Sequence, residues 1–136
     1  MKIALCKEKL AGLSMGLFSR RDKGQHYETV AKNHLEGCGL MVIERNFTAR
    51  CGEIDLIMKD GTTIVFVEVR YRENKRYGHA AETVSPSKVA KLLKTAHYWL
   101  LKTNRSVEQT DLRFDVIAIH QQGKQIEWIK NAITQG

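Results

Sequence analysis

The sequence predicts one α/β domain: a helix, a three-strand antiparallel meander, a second helix, then one or two further strands. Three observations predict it. Apolar residues recur at helical spacing over residues 22–39 and again over 86–104. Between them lie three strand-like runs joined by short turn-forming links. After the second helix comes LRFDVIAIH, apolar almost throughout, as a strand covered on both faces must be.

Each element follows in order. Residues 1–21 have no clear period and read as an arm ahead of a single domain over 22–136. In the first helix Asp22 suits the N-cap, and Gly37 and Gly39 suit the stop. Tyr27, Val30, Ala31, His34, Leu35 and Cys38 share one face, with Glu28 at its edge. The three strands are LMVIERNFTAR, GEIDLIMKD and TTIVFVEVRYR, and Asp60-Gly61 is the hairpin turn between the last two. In the second helix Ser85 caps, Pro86 takes the first turn, and Val89, Leu92, Leu93, Ala96, Trp99 and Leu100 form an apolar face. Lys88, Lys91, Tyr98 and Lys102 lie on its other side. QIEWI closes the domain as a short edge strand.

Composition bounds the function. The chain has 136 residues, 43% hydrophobic and 27% charged, enough for a folded core without disulfides. No apolar run is long enough to span a bilayer, and the apolar start is broken by Lys7, Glu8 and Lys9, so neither a membrane anchor nor a cleaved signal is expected. Three cysteines, an odd number without C-x-x-C spacing, argue against a disulfide framework or zinc site and for a reducing cytoplasm. The five histidines are scattered and read as surface or packing residues. A formal charge of +7 suits a polyanionic partner.

Several of the few acids stand at apolar positions, where burial is costly unless compensated. On the third strand Ile64, Phe66, Glu68 and Arg70 alternate onto one side, and on the second Glu53, Asp55 and Ile57 do the same. A turn at Asp60-Gly61 sets Asp55 beside Phe66 and diagonal to Glu68, ~7 Å away at Cα. Two carboxylates at that range can share a Mg²⁺ or Mn²⁺ ion. Such an ion activates water and neutralises charge on phosphate. The alternative is ion pairing of these acids with Arg70, Arg50 or Arg72. Glu53 reads as a solvated or supporting acid, and Asp115 as a partner of Arg113 or a support of the site.

GEIDLI followed by VFVEVR resembles the D…ExK core of the PD-(D/E)XK nuclease superfamily, with its restriction-endonuclease-like fold of a three-layer core around a mixed sheet. More closely, the chain resembles the YraN-type family of uncharacterised bacterial proteins. The matching residues are Gly24 to Glu28, Asn46-Phe47, Gly52 to Ile57, Val67 to Arg72, Lys88, and Arg113 to Val116. The resemblance implies that Asp55 and Glu68 hold the metal, that Glu28 completes its shell, and that Arg70 stands where the superfamily has a catalytic lysine. Arginine stays protonated and is a poor base, but its fork can hold a water or a phosphate.

The basic segment after the third strand places Arg72, Lys75 and Arg76, with Tyr71 and Tyr77, beside this site, and Lys88 and Lys91 extend it along the second helix. Cations contact phosphates and aromatics stack on splayed bases. No base-reading motif is present, so shape recognition is expected. The expectation is therefore a Mg²⁺- or Mn²⁺-dependent endonuclease-like protein acting on DNA, branched or otherwise non-duplex. Since junction-cleaving relatives are dimers, a homodimer is implied. The competing expectations are a non-catalytic nucleic-acid-binding module and a partner-binding scaffold in DNA maintenance.

Overall fold

The computed structural model describes residues 20–72, 84–120 and 124–133. The elements are helix α1 (Arg20–Gly37), strands β1 (Met41–Ala49), β2 (Gly52–Asp60) and β3 (Thr63–Arg72), helix α2 (Pro86–Lys102), and strands β4 (Leu112–His120) and β5 (Gln125–Ile129). This is the predicted order. The helix α1 starts at Arg20, so Asp22 lies inside it rather than at its cap. Cys38, expected on its apolar face, follows the helix end and is exposed.

The strands form one sheet in sequence order. β1, β2 and β3 pair antiparallel, β3 and β4 pair parallel, and β4 and β5 pair antiparallel. The parallel step follows from α2, which carries the chain back across the sheet before β4 begins. β4 is thereby an interior strand between β3 and β5, and every residue from Phe114 to His120 is buried.

One core lies under each face. Tyr27, Ala31 and Leu35 of α1 pack on Leu56, Met58, Val65, Val67, Ile117 and Ile119. Leu92, Ala96, Trp99 and Leu100 of α2 pack on Ile54, Ile57, Ile64, Phe66 and Phe114. Trp99 meets Phe66 edge-on, with ring centroids 5.8 Å apart. Burying each of these large side chains contributes about 1.5–3 kcal/mol. The cap of α2 is as its sequence predicts, with Ser85 Oγ accepting the Lys88 N–H at 3.2 Å and Pro86 in the first turn.

Two features of the hairpin differ from expectation. The turn falls one residue later, at Gly61 and Thr62, because Asp60 pairs with Thr63. Gly61, at φ +62°, holds the first central position that such a turn reserves for glycine. The alternation of β2 also breaks at Asp55. Ile54 and Ile57 both face α2, whereas Leu56 and Met58 face α1.

Asp115 settles as structural. Its buried carboxylate accepts from Arg113 Nε at 3.1 Å, Trp128 Nε1 at 2.9 Å and the Asn131 N–H at 2.9 Å. Arg113 also reaches Asp60 at 3.0 Å, tying β4 to the hairpin end.

Candidate functional site

The site forms where the β2–β3 hairpin opens. Main-chain pairing runs from Asp60 and Thr63 up to Leu56 and Val67. One step further Asp55 and Glu68 stand opposite each other. There the Oδ2 of Asp55 accepts the Val69 N–H at 2.9 Å, so a side chain replaces the ladder as the strands part. The later turn has thus brought Glu68 from the expected diagonal to a directly facing position.

Local sequence explains why Asp55 sits there. Gly52 opens β2 at φ +152°, and a Cβ on it would meet Thr95 Oγ1 of α2 at 2.9 Å. Only glycine lets the strand start this close beneath the helix. Two residues of β2 then separate that contact from Asp55.

Burial pushes Asp55 up to about 8, and the adjacent negative charge of Glu68 and a hydrogen bond between the two carboxyls push the same way. The Val69 N–H opposes these, and the charge of Glu28 adds a smaller upward push. Near neutral pH the pair therefore holds a proton between its oxygens. That proton is one answer to the cost of burying two acids.

Cations are the second answer. Lys88 Nζ lies 3.3 Å and Arg70 Nη2 lies 3.5 Å from Glu68 Oε2. Of the arginines named as counter-ions, Arg70 is thus found on Glu68, Arg50 is exposed, and the side chain of Arg72 lies outside the described residues. Lys88, which the helical period places on the side of α2 away from its apolar face, reaches from the first turn of that helix to Glu68 of the acidic pair. A lysine in a first turn without acids opposes the helix dipole, and that mismatch was the legible sign of a nearby carboxylate.

Glu28 approaches from α1. It is buried, and its Oε1 has no hydrogen-bond partner among the described residues. Burial raises its pKa, a hydrogen bond from Asn46 and the charge of Arg45 oppose the rise, and exposed Glu53 adds to it. Asn46 is a site residue that sequence reasoning assigned no role. It sits at φ +54°, a conformation asparagine tolerates better than most residues.

Glu68 therefore meets Asp55, Arg70 and Lys88, and Glu28 adds charge from beside Asp55. Among the described residues no three His, Cys, Asp or Glu side chains converge as a metal-holding group in this arrangement. The facing pair still fits a magnesium-type ion. Its donors are all carboxylate oxygen, and such ions commonly take one or two carboxylates with water and phosphate as the rest.

The basic surface is partly visible. Lys91, Lys94 and Lys102 of α2 are exposed. Tyr71 is turned to the other face, stacked on Tyr27 with ring centroids 3.9 Å apart. Lys75, Arg76 and Tyr77 lie outside the described residues. A cavity of about 470 Å³, lined in part by His97, Arg113 and Asn131, sits elsewhere and includes neither Asp55 nor Glu68. No helix among the described residues is long and apolar enough to cross a membrane.

The sequence pattern of the Uncharacterised protein family UPF0102 matches residues 27–119. A UPF0102 protein of Vibrio vulnificus (strain YJ016) is 58% identical over 122 residues, covering 90% of this chain and 100% of its own. One of Vibrio cholerae serotype O1 (strain ATCC 39541) is 52% identical over the same share of both. One of Aliivibrio salmonicida (strain LFI1238) is 53% identical over 118 residues, 87% of this chain and 96% of its own.

Proposed function

The chain belongs to the UPF0102 family, and from its site we propose that it is a Mg²⁺- or Mn²⁺-dependent endonuclease acting on DNA, with branched or non-duplex strands as substrate. The observation that carries the reading is the Asp55–Glu68 pair at the open hairpin, proton-bridged and flanked by Lys88 and Arg70. The formal charge of +7 and the exposed lysines of α2 suit a phosphate backbone. The resemblance to the PD-(D/E)XK core, with its restriction-endonuclease-like fold, agrees with a mixed five-strand sheet between two helices.

In this mechanism Asp55 and Glu68 would hold the ion. When bound, it would supply charge neutralisation at phosphate and an activated water. Holding it would require Asp55 to release its proton to solvent. Arg70 and Lys88, released from neutralising Glu68, are left to bind and orient the scissile phosphodiester. Arg70 offers a planar fork, whereas Lys88 offers a mobile point charge. Glu28 contributes a third negative charge that favours a cation over a lone proton.

One observation favours the non-catalytic binding module. Glu68 already has two cations and Asp55 a proton, so the acids are compensated without any metal. A cleavage panel separates the readings. Junction, flap, single-strand and duplex DNA are incubated with Mg²⁺ or Mn²⁺ and either wild type or Asp55→Asn. The nuclease reading expects metal-dependent cuts by wild type alone. Salt-sensitive DNA binding without a cut on any substrate leaves the binding module.

A further inference from the structure

Beyond Glu68 the same face of the sheet carries two more buried polar groups that the proposed mechanism does not use. Strand alternation and the parallel register set Glu68 beside Val116, Arg70 beside Ala118 and Arg72 beside His120. His120 therefore lies diagonal to Arg70 across Ala118, within reach of a long side chain. His120 is 5% exposed, and its Nδ1 is buried without a hydrogen-bond partner among the described residues. Arg70 uses Nη2 on Glu68, but its Nε is likewise buried and unpartnered. Glu127, opposite Ala118 on β5, has contacts of its own and leaves the Arg70 Nε unmatched.

Buried polar nitrogens without partners are costly, and two on one face invite a single explanation. The Arg70 Nε–H can only donate, and it belongs to a group that is always cationic. Nδ1 of a neutral imidazole can also donate. The buried apolar neighbours Val116 and Ala118 lower the local dielectric, which strengthens any charge-assisted bond formed there. Two donors, one of them cationic, match an anionic oxygen rather than a metal ion.

Resting on the nuclease reading, we infer that Arg70 Nε and His120 Nδ1 form a phosphate seat for a phosphodiester of the bound strand next to the one held at Asp55 and Glu68. The seat would fix the direction in which the strand crosses the sheet, from the acidic pair toward the ends of β3 and β4. It needs no base identity, in keeping with recognition of backbone shape.

The test measures binding of a labelled oligodeoxythymidine in EDTA, where cleavage is silent, by fluorescence anisotropy. His120→Phe keeps the ring's bulk and removes the donor. It should weaken binding roughly tenfold at low salt. His120→Asn, whose amide nitrogen falls near Nδ1, should recover most of the affinity. The gap between wild type and His120→Phe should persist as salt rises, because an uncharged imidazole N–H releases no counterion. Equal affinities, or no recovery in His120→Asn, overturn the seat. If His120→Phe does not fold, ¹⁵N-histidine spectra of wild type decide. The His120 Nδ1 resonance must move when the oligonucleotide is added, and a stationary resonance overturns the proposal. The two readings fail separately. Cleavage without a His120 effect removes the seat alone, whereas a His120 effect without cleavage removes the nuclease alone.

Discussion

Asp55 and Glu68 face each other one step beyond the last main-chain pair of the β2–β3 hairpin, and a hydrogen bond joins their carboxyls. A proton and a divalent ion are therefore rivals for the same oxygens. Mn²⁺ affinity should rise as pH increases toward about 8 and level off above it, since less proton remains to displace. Calorimetry in buffers of different ionisation enthalpy should show proton release below that pH. Asp55→Ala should abolish the heat. Identical titrations of wild type and variant would remove the metal from this site.

The same pair gives stability a pH slope. The folded value of Asp55, about 8, lies above its ordinary value of 3.8, so between them the native state holds a proton that the unfolded chain has lost. That contribution is complete below about pH 4 and is lost as pH rises through about 8, at no more than about 1.4 kcal/mol per pH unit. Glu28, also raised, acts with the same sign. In EDTA the urea midpoint of wild type should fall from pH 5 to pH 9. Asp55→Asn should flatten the fall and be the more stable form at pH 9. Parallel curves for the two proteins would mean that no proton is shared there.

Arg70 and Lys88 converge on one oxygen of Glu68, and substitutions should separate them by rate. On a cleavable substrate Arg70→Ala should lower kcat about 10²–10³-fold, as loss of a transition-state contact does, and should weaken DNA binding at least as much as His120→Phe, since its Nε is the cationic half of the phosphate seat. Arg70→Lys should retain or raise activity. Lys88→Met should also lower kcat, whereas Lys91→Met, exposed on the next turn, should not. Loss of folding in Arg70→Ala, with no cleavage by any variant, would make Arg70 a counter-ion of Glu68 only.

DNA binding should be electrostatic and indifferent to sequence. Its affinity should fall steeply between about 50 and 200 mM salt. Replacing Arg72, Lys75 and Arg76 with Glu should weaken unrelated sequences alike. Anisotropy titrations on two sequences of different composition check this, and a loss confined to one of them would indicate base readout instead.

Asp115 serves a different purpose, and its loss should be felt in stability. Asp115→Ala takes one of two carboxylates from Arg113, which keeps Asp60, and strands the Trp128 and Asn131 donors at about 1–3 kcal/mol each. Chemical denaturation measures it. Metal affinity per folded molecule should be unchanged, since Asp115 lies on the α1 side of the sheet with Trp128 and not with Lys88.

The sequence by itself determined the elements and their order. Helix and strand periods, the Ser85-Pro86 cap and the glycine-bearing turn are local signals, and local sterics and capping produce them. It also singled out Asp55 and Glu68, because acids amid Ile, Leu, Phe and Val have no surface explanation. Only the tertiary structure decided how they meet. A turn one residue later moved Glu68 from diagonal to opposite, since hairpin register depends on which residue of the turn takes the left-handed backbone, and Gly61 took the first place. Lys88 and Asn46 join the site from α2 and β1, segments whose spacing to β3 and α1 no periodicity records. His120 looked like one scattered histidine until the parallel pairing of β3 with β4, created by the α2 crossover, set it diagonal to Arg70. Periodicity tells which face a side chain takes, but the neighbours it meets there are set by chain crossings between residues far apart in sequence.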